Sequence, residues 1–334
     1  MPTDFTSDFT HSVAQARPSF ARRYPLVDQL DRYLAPAEAL MIALTLTIGI
    51  LSYALSLAFD QAVDWQAFLI SFAPGIGLVV LGAYIRVAKA MPKAGMAAIA
   101  AGIYIGFSGV VTILIYLRFP FNVPMIDMQL MELDAWLFGY DWAGFTTAMA
   151  DYPMLGKTIG WIYGTSLAQL FFVVFVLSMY GRMIDLHRVL VTGILSLLLT
   201  VAIWWTWPSV GPSAYFTLSS EVEAALGLVH GHAAGERLMT MAQSGNEVIS
   251  PAIIMGTIAF PSYHTVMLCL AVAFVWRTWA FWPLVALNLG MVPSILAHGG
   301  HHMTDLVGGV VVFAIAWWAA AILVPRRATS IIAG

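Results

Sequence analysis

The sequence predicts an all-α fold, a polytopic membrane helical bundle of about eight transmembrane helices. Hydrophobic residues make up 60% of the 334 residues and charged residues only 10%, whereas about a quarter of the residues are charged in soluble domains. The apolar residues form continuous runs of about 20 residues, the length that a helix needs to cross a bilayer. Because these runs do not alternate with polar residues as barrel strands do, helices are expected.

The apolar runs begin after a polar tail of 36 residues. The first run is too long for the core of a signal peptide and has no small-residue cleavage site after it, so we expect it to remain as a membrane helix. We therefore expect a cytoplasmic N-terminal tail over 1–36 and a cytoplasmic C-terminal tail over 325–334. The predicted spans lie near 37–58, 66–88, 96–117, 156–180, 186–207, 262–280, 282–298 and 304–324.

The distribution of cations predicts the orientation. With the N-terminus inside, three of the 15 Lys and Arg residues fall in outer segments, namely Arg118, Lys157 and Arg237. The other twelve lie inside, as the positive-inside rule describes. The outer segments that are long or polar are 118–155, 208–261 and 299–303. The sequence thus predicts a multi-pass protein of a bacterial inner membrane, with its chemistry on the extracytoplasmic side.

Two of the outer segments contain predicted short helices. In "MIDMQLMELDAWLFGYDW" the apolar residues recur at helical spacing between Asp127, Glu132 and Asp134, which predicts an interfacial helix. Ser220 and Glu223 form a capping-box pattern that predicts the start of a short amphipathic helix.

Ionisable residues cluster in two further stretches, "FPSYHTVM" (260–267) and "SILAHGGHHMTDLVGG" (294–309). Each leads into an apolar span whose N-terminus faces outward, so that free N–H groups and the positive helix end could bind an anion. Ser262 is suited to cap a helix or to donate to a phosphate, and His264 follows on the first turn. Four residues separate His301 from Asp305, so on a helix the carboxylate can hold one imidazole nitrogen.

These residues predict a phosphoryl-transfer site. His301 would be the nucleophile, oriented by Asp305, and His264 would protonate the leaving oxygen while helix ends stabilise the anion. The covalent intermediate would be a phosphohistidine. This chemistry requires no metal and no other cofactor.

The motifs also resemble a known family. Pro261-Ser262-x-His264 and Ser294-x6-His301-x3-Asp305 are similar to the second and third signatures of the type 2 phosphatidic acid phosphatase superfamily. The resemblance covers about the last half of the chain. It implies that the last six helices form a catalytic core over 96–324, with two extra N-terminal transmembrane helices over 37–95.

The chain departs from the phosphatases of that superfamily at two places. It has "WPSVGPSAYF" (207–216) where they carry an early Lys…Arg-Pro motif, and Ile295 where they carry an arginine. Both features, and the segment "RFPFNVPMIDMQLMELDAWLFGYDW", resemble the inositol phosphorylceramide synthase branch. A phosphodiester carries one negative charge and a phosphomonoester nearly two, so a diester site needs fewer arginines. The sequence therefore favours transfer of a phosphorylated headgroup between lipids, with hydrolysis of lipid phosphates such as phosphatidate as the alternative.

Other residues are candidates for contacting the substrate. The substrate-binding candidates are Ser262, Tyr263, Ser294, His302 and Arg118. Arg118 could equally anchor a helix at the interface. A histidine at a helix end is usually structural, and this interpretation applies to His230, His232, His298 and also His302.

Further alternatives remain open at this point. One alternative is a zinc site, because the helical spacing would also suit His298, His301, His302 and Asp305 as its ligands. The residues of "PSYH" would have no part in such a site. A non-enzymatic lipid transporter or scaffold would need polar or broken helices near the midplane, whereas the ionisable residues here lie at span ends.

The composition also bounds the partners. We expect lipid substrates in the outer leaflet as partners. A net charge of −3 indicates no nucleic acid, and no protein partner is inferred. The single cysteine, Cys269, precludes an intrachain disulfide.

Overall fold

The computed structural model describes residues 32–326, so most of both predicted tails lies outside the described residues. Within that range nearly all of the regular secondary structure is helical, which confirms the predicted all-α membrane bundle. The helices are α1 Pro36–Ala58, α2 Trp65–Ala88, α3 Pro92–Tyr116, α4 Asp127–Phe138, α5 Trp142–Met149, α6 Pro153–Gly164, α7 Ser166–Met179, α8 Met183–Thr206, α9 Ser220–Leu226, α10 His232–Ser244, α11 Tyr263–Ala273, α12 Phe281–Gly299 and α13 Met303–Leu323. Two short strands, β1 Ala62–Val63 and β2 Val248–Ile249, pair in parallel.

The number of full-length membrane helices is lower than predicted. Six of the described helices, α1, α2, α3, α8, α12 and α13, are long and apolar enough to cross a membrane. The run 156–180 folds as α6 and α7, which are bent by 53° and together make a possible seventh span. The predicted span 262–280 contains only α11, which has 11 residues and is about 16 Å long. Turns occupy residues 274–280, where Arg277 has a φ of 63°.

The ends of the helices and the loops between them form the two ends of the bundle. At one of them, called the site end here, lie the C-terminal ends of α3, α8 and α12 and the N-terminal ends of α11 and α13. The Tyr116 hydroxyl, at the end of α3, accepts the Met255 N–H at 2.7 Å. The Ser209 hydroxyl, just after α8, accepts the Phe260 N–H at 2.7 Å. These bonds hold the segment that precedes α11 against the ends of α3 and α8.

The opposite end contains a buried ionic cluster of Glu38, Arg86 and His187. Both oxygens of Glu38 accept hydrogen bonds from Arg86 at 2.7 Å, and the His187 Nε2 lies 3.2 Å from the same carboxylate. Glu38 is only 1% exposed, so its charge requires this pairing. The cluster therefore joins α1 and α2 to α8.

The two N-terminal helices pack directly on the rest of the bundle. Helix α3 contacts α1 and α2 on one side and α7 and α8 on the other. Close approach of α2 and α3 depends on glycine, because a Cβ added at Gly82 would lie 2.7 Å from the carbonyl oxygen of Gly95. The division into extra helices over 37–95 and a core over 96–324 remains a prediction.

Both predicted short helices are present, as α4 and α9. The cap of α9 differs from the prediction, because Ser219 and not Ser220 is the N-cap, its hydroxyl accepting the Val222 N–H. Glu223 does not complete a capping box. Its carboxylate instead accepts the His232 N–H at 2.7 Å, at the start of α10.

Candidate active site

Ser262 fixes the N-terminus of α11 at the site end. Its hydroxyl accepts the Thr265 N–H at 3.3 Å, as expected of a helix cap, and its own N–H donates to the backbone carbonyl of Asp305 at 3.0 Å. A Cβ at Gly309 would collide with Thr265 at 2.7 Å, so glycine permits α13 to approach α11 here. With Thr265 satisfied, the N–H groups of Tyr263 and His264 remain as donors at this helix end.

His301 and Asp305 form the expected hydrogen bond. The His301 Nδ1 lies 2.9 Å from an Asp305 oxygen, although His301 precedes α13 and is not on a shared helical face. The same oxygen accepts the His302 N–H at 2.9 Å, which orients the carboxylate. A carboxylate that accepts the Nδ1 proton leaves the lone pair on Nε2. That nitrogen lies 3.5 Å from the Ser262 hydroxyl.

The His264 ring faces this pair from α11. Its centroid lies 6.0 Å from that of His301, with the two rings 68° apart. On its other side it stacks on Tyr163 of α6 at 4.4 Å, and the Tyr163 hydroxyl lies 3.4 Å from Nδ1. Tyr163 thus holds the His264 ring next to His301. Sequence reasoning did not select Tyr163, since an aromatic residue in an apolar run carries no distinguishing signal.

A small cavity of about 20 Å³ lies between these rings, which is room for roughly one water molecule. Its lining includes His230, which sequence reasoning took to be structural. Burial and the neighbouring His301 lower the pKa of His230 to about 4, so its ring is neutral at pH 7. The lining residues are Tyr163, Val210, His230, Leu238, Gly256, Thr257, Ile258, Ala259, His264, Gly299 and His301, without a lysine or an arginine among them.

Two aspartates of α4 support the site from behind. The Asp127 carboxylate accepts the N–H groups of Val210 and Gly211, at 3.1 and 2.7 Å. The Asp134 carboxylate accepts those of Met303 and Thr304 at the start of α13, at 2.6 and 2.9 Å. The α13 end that was expected to bind the substrate anion is therefore occupied by a carboxylate of the protein. From the sequence, both aspartates are predicted only as polar residues of an interfacial helix. Their seven-residue spacing places them on one face of that helix, and this spacing is the signal of their shared role.

His302 lies among these carboxylates. Its Nε2 is 3.4 Å from Asp127 and its Nδ1 is 3.9 Å from Asp134. Burial opposes a charge on this ring, but the carboxylates of Asp305, Asp127 and Asp134 outweigh it and raise the pKa of His302. The ring does not line the His301 cavity, and the structure gives it a supporting position.

The structure does not bring three other substrate-binding candidates to the cavity. The Ser294 hydroxyl donates to the Ile159 carbonyl, where α12 packs on α6. The Tyr263 hydroxyl donates to the Gly193 carbonyl of α8 at 3.1 Å. Arg118 lines a different cavity, with Phe119 and Trp205. Of the five candidates, Ser262 contacts His301 through its hydroxyl, and His302 contacts Asp305 through its backbone N–H.

The side chains of the alternative zinc site do not converge. The His298 Nε2 lies 2.9 Å from the Gly156 carbonyl, and His302 faces Asp127 rather than His301. Over residues 32–326 no group of three His, Cys, Asp or Glu side chains is arranged to hold a metal ion.

The fold and the site together define a helical membrane protein with two facing histidines, one of them paired with an aspartate, at the ends of its helices. Residues 128–319, more than half of the chain, match the family model of the PAP2 superfamily. The chain therefore belongs to the PAP2 superfamily, whose members are generally phosphatases or phosphotransferases acting on phosphate esters. No curated protein and no solved structure gives a significant match.

Proposed function

We propose that this protein transfers a phosphorylated headgroup between membrane lipids through a phosphohistidine on His301. The observation that carries the proposal is the His301 cavity, in which a carboxylate-oriented imidazole faces a second imidazole without any lining cation. Membership of the superfamily supports phosphoester chemistry in general, and the charge of the site supports the choice of a diester.

In the first step, the His301 Nε2 attacks the phosphorus of a phosphodiester lipid. The N–P bond forms as the bond from phosphorus to the lipid alcohol breaks, and His264 gives a proton to the departing oxygen. The headgroup remains on His301 through phosphorus. The N–H groups of Tyr263 and His264, at the positive end of α11, would stabilise the equatorial oxygens.

In the second step, the hydroxyl of an acceptor lipid attacks the same phosphorus. His264 takes the hydroxyl proton, the new P–O bond forms and the N–P bond breaks, which restores His301. Asp305 keeps the imidazole in one tautomer through both steps and stabilises the charge that develops on it.

The local charge favours a substrate with a single negative charge. The carboxylates of Asp127, Asp134 and Asp305 are all buried near His302 and His301. A phosphomonoester would bring nearly two further negative charges to a cavity without a lining Lys or Arg. A phosphodiester brings one, which the N–H groups at the positive end of α11 can balance.

The alternative, hydrolysis of a lipid phosphate, uses the same two steps with water as the acceptor. The size of the cavity favours it, since about 20 Å³ suits one water molecule. The apolar lining from Val210, Leu238 and Ile258 favours a lipid alcohol instead, because it limits the access of water to the adduct.

Turnover of labelled lipids tests the proposal. Purified protein in one detergent would receive radiolabelled phosphatidylinositol, phosphatidylcholine or phosphatidate, with and without ceramide or diacylglycerol. We expect product from a diester only with a lipid alcohol, and an acid-labile adduct that His301→Ala abolishes. The exposed His232 provides a matched control, since His232→Ala should behave as wild type. Faster release of phosphate from phosphatidate, unaffected by added alcohol, would replace transfer by hydrolysis, and an adduct persisting in His301→Ala would refute the nucleophile.

A further inference from the structure

A second, larger cavity lies at the site end beside Arg118. Its volume is about 470 Å³, and it shares no lining residue with the His301 cavity. It lies where α1, α3 and α8 end. Its lining residues are Phe59, Gln61, Leu117, Arg118, Phe119, Pro120, Asn122 and Trp205.

Arg118 is the cation of this cavity and has no counter-ion. Its Nε donates to the Trp205 carbonyl at 3.0 Å and its Nη1 to the Pro120 carbonyl at 3.5 Å. The guanidinium also lies over the Phe121 ring, 5.2 Å from its centroid. Two neutral carbonyls therefore fix the Arg118 guanidinium and leave its Nη2 as a donor without a partner.

Among the described residues, Arg188 and Arg237 also donate only to backbone carbonyls and lack an ion pair, but Arg118 is the arginine that lines this large cavity. Arg86 is paired with Glu38 and Arg182 with Asp185, but throughout the described range 32–326 no carboxylate lies within 4 Å of the Arg118 guanidinium. Burial without such a partner lowers the pKa of Arg118. A bound anion would offset this desolvation.

The surroundings favour the headgroup of a lipid over a free ion. Phe59 is 53% exposed beside the cavity and Trp207 is 55% exposed at the end of α8, and exposed aromatic residues at span ends are typical of the headgroup level. The cavity volume is in the range typical of binding sites for ligands of many atoms. It greatly exceeds the volume of a phosphate ion.

We propose that this cavity binds the phosphate of an anionic phospholipid, with Arg118 donating from Nη2. The lipid would sit against Phe119 and Trp205, which line the cavity. Phe119 belongs to a buried hydrophobic cluster that also includes Val210, a lining residue of the His301 cavity. The site thus holds a lipid beside the reaction centre, and it requires no assumption about the role of His301.

Lipid binding to the full-length protein tests this proposal without any activity measurement. Native mass spectrometry would count bound phosphatidylglycerol, with phosphatidylcholine as the zwitterionic comparison. We expect one tightly bound phosphatidylglycerol in the wild type and about tenfold weaker binding in Arg118→Gln, as the loss of a charge-assisted hydrogen bond predicts. The matched control is Arg237→Gln, because Arg237 is an exposed cation of the site end that also donates to a carbonyl, that of Ile253.

A second variant separates lost binding from lost folding. Asn122 lines the cavity and is exposed, so Asn122→Trp fills the space and keeps both hydrogen bonds of Arg118. We expect phosphatidylglycerol to raise the Tm of the wild type and of Arg237→Gln, but not that of Asn122→Trp. Equal phosphatidylglycerol binding by wild type, Arg118→Gln and Asn122→Trp would overturn the proposal. Displacement of the lipid by millimolar inorganic phosphate would also overturn it, in favour of a small-anion site.

Discussion

The imidazole of His302 lies 3.4 Å from the carboxylate of Asp127, although 175 residues separate the two in the chain. The same carboxylate accepts two backbone N–H groups from the loop after α8. Through Asp127, helix α4 therefore holds both the loop that lines the His301 cavity and the residue next to His301.

This relationship predicts that Asp127→Asn destabilises the protein. An amide cannot accept the Val210 and Gly211 N–H groups as a carboxylate does, and the substitution removes one of the three carboxylates around His302. We expect the free energy of unfolding to fall by about 3 kcal/mol, visible as a lower Tm in detergent. Glu132 lies exposed on the same helix, so Glu132→Gln should change the stability by less than about 0.5 kcal/mol. Equal effects of the two substitutions would contradict the assignment.

Gly300 predicts a second outcome, because its φ is +60° and a Cβ there would collide with the Ser213 side chain. Gly300→Ala should displace the neighbouring His301 and reduce turnover by about 100-fold. Gly227 is the matched control, since it has a φ of +61° with nothing within 4 Å of an added Cβ. Gly227→Ala should cost only the backbone strain of about 1 kcal/mol and leave turnover unchanged. The turnover of each variant, measured at the same interval below its own Tm, checks this difference.

His230 makes stability depend on pH in the acid range. Its pKa is about 4 in the folded protein and about 6.5 in the unfolded chain. Between these values the unfolded chain binds the additional proton, so stability falls as the pH falls. From pH 7 to pH 5 we expect this group to remove roughly 2 kcal/mol. His230→Gln cannot titrate, so its Tm should decline less than that of the wild type over this interval, and parallel declines would refute the prediction.

Asp305→Asn should separate orientation from nucleophilic attack. Asparagine retains the size of the side chain but no longer fixes the His301 tautomer or stabilises its charge. We expect the rate of adduct formation to fall by about 10²- to 10⁴-fold while the adduct remains detectable. His301→Ala should give no adduct at any time. Rapid-quench measurements on both variants test this order of effects.

The side of the membrane that carries the site can be tested by cysteine labelling. The cation distribution predicts that the site end is extracytoplasmic. In a background without Cys269, an impermeant thiol reagent on intact cells should label Glu236→Cys and spare Lys89→Cys, both of which are at exposed positions. The reverse pattern would move the site to the cytoplasmic side.

The membrane bundle and the pairing of His301 with Asp305 could be predicted from sequence because each depends on local information. Span length and hydropathy define the long helices, and a spacing of four residues brings two side chains together even where His301 lies before the helix. The short α11 could not be predicted, since the turn at 274–280 is as apolar as a helix. Hydropathy does not distinguish the two.

The support around the site depends on contacts that no local pattern records. Asp134 reaches the start of α13 across 169 residues. The sequence predicts Ser294 as a substrate contact, but its hydroxyl donates to a backbone carbonyl of α6. Arg118 was grouped with the His301 site because it is a rare outer cation. Its carbonyl partners and its separate cavity become apparent only in three dimensions.

The ionic cluster of Glu38 and Arg86 has a consequence for biosynthesis. Both residues belong to the first helical hairpin, α1 and α2, and both are synthesised long before His187. The hairpin therefore carries its own neutralising partner when it leaves the ribosome, and we expect it to enter the bilayer without an isolated charge at its helix ends. His187 then docks on a preformed ion pair, so the first hairpin can serve as the template on which the later helices assemble.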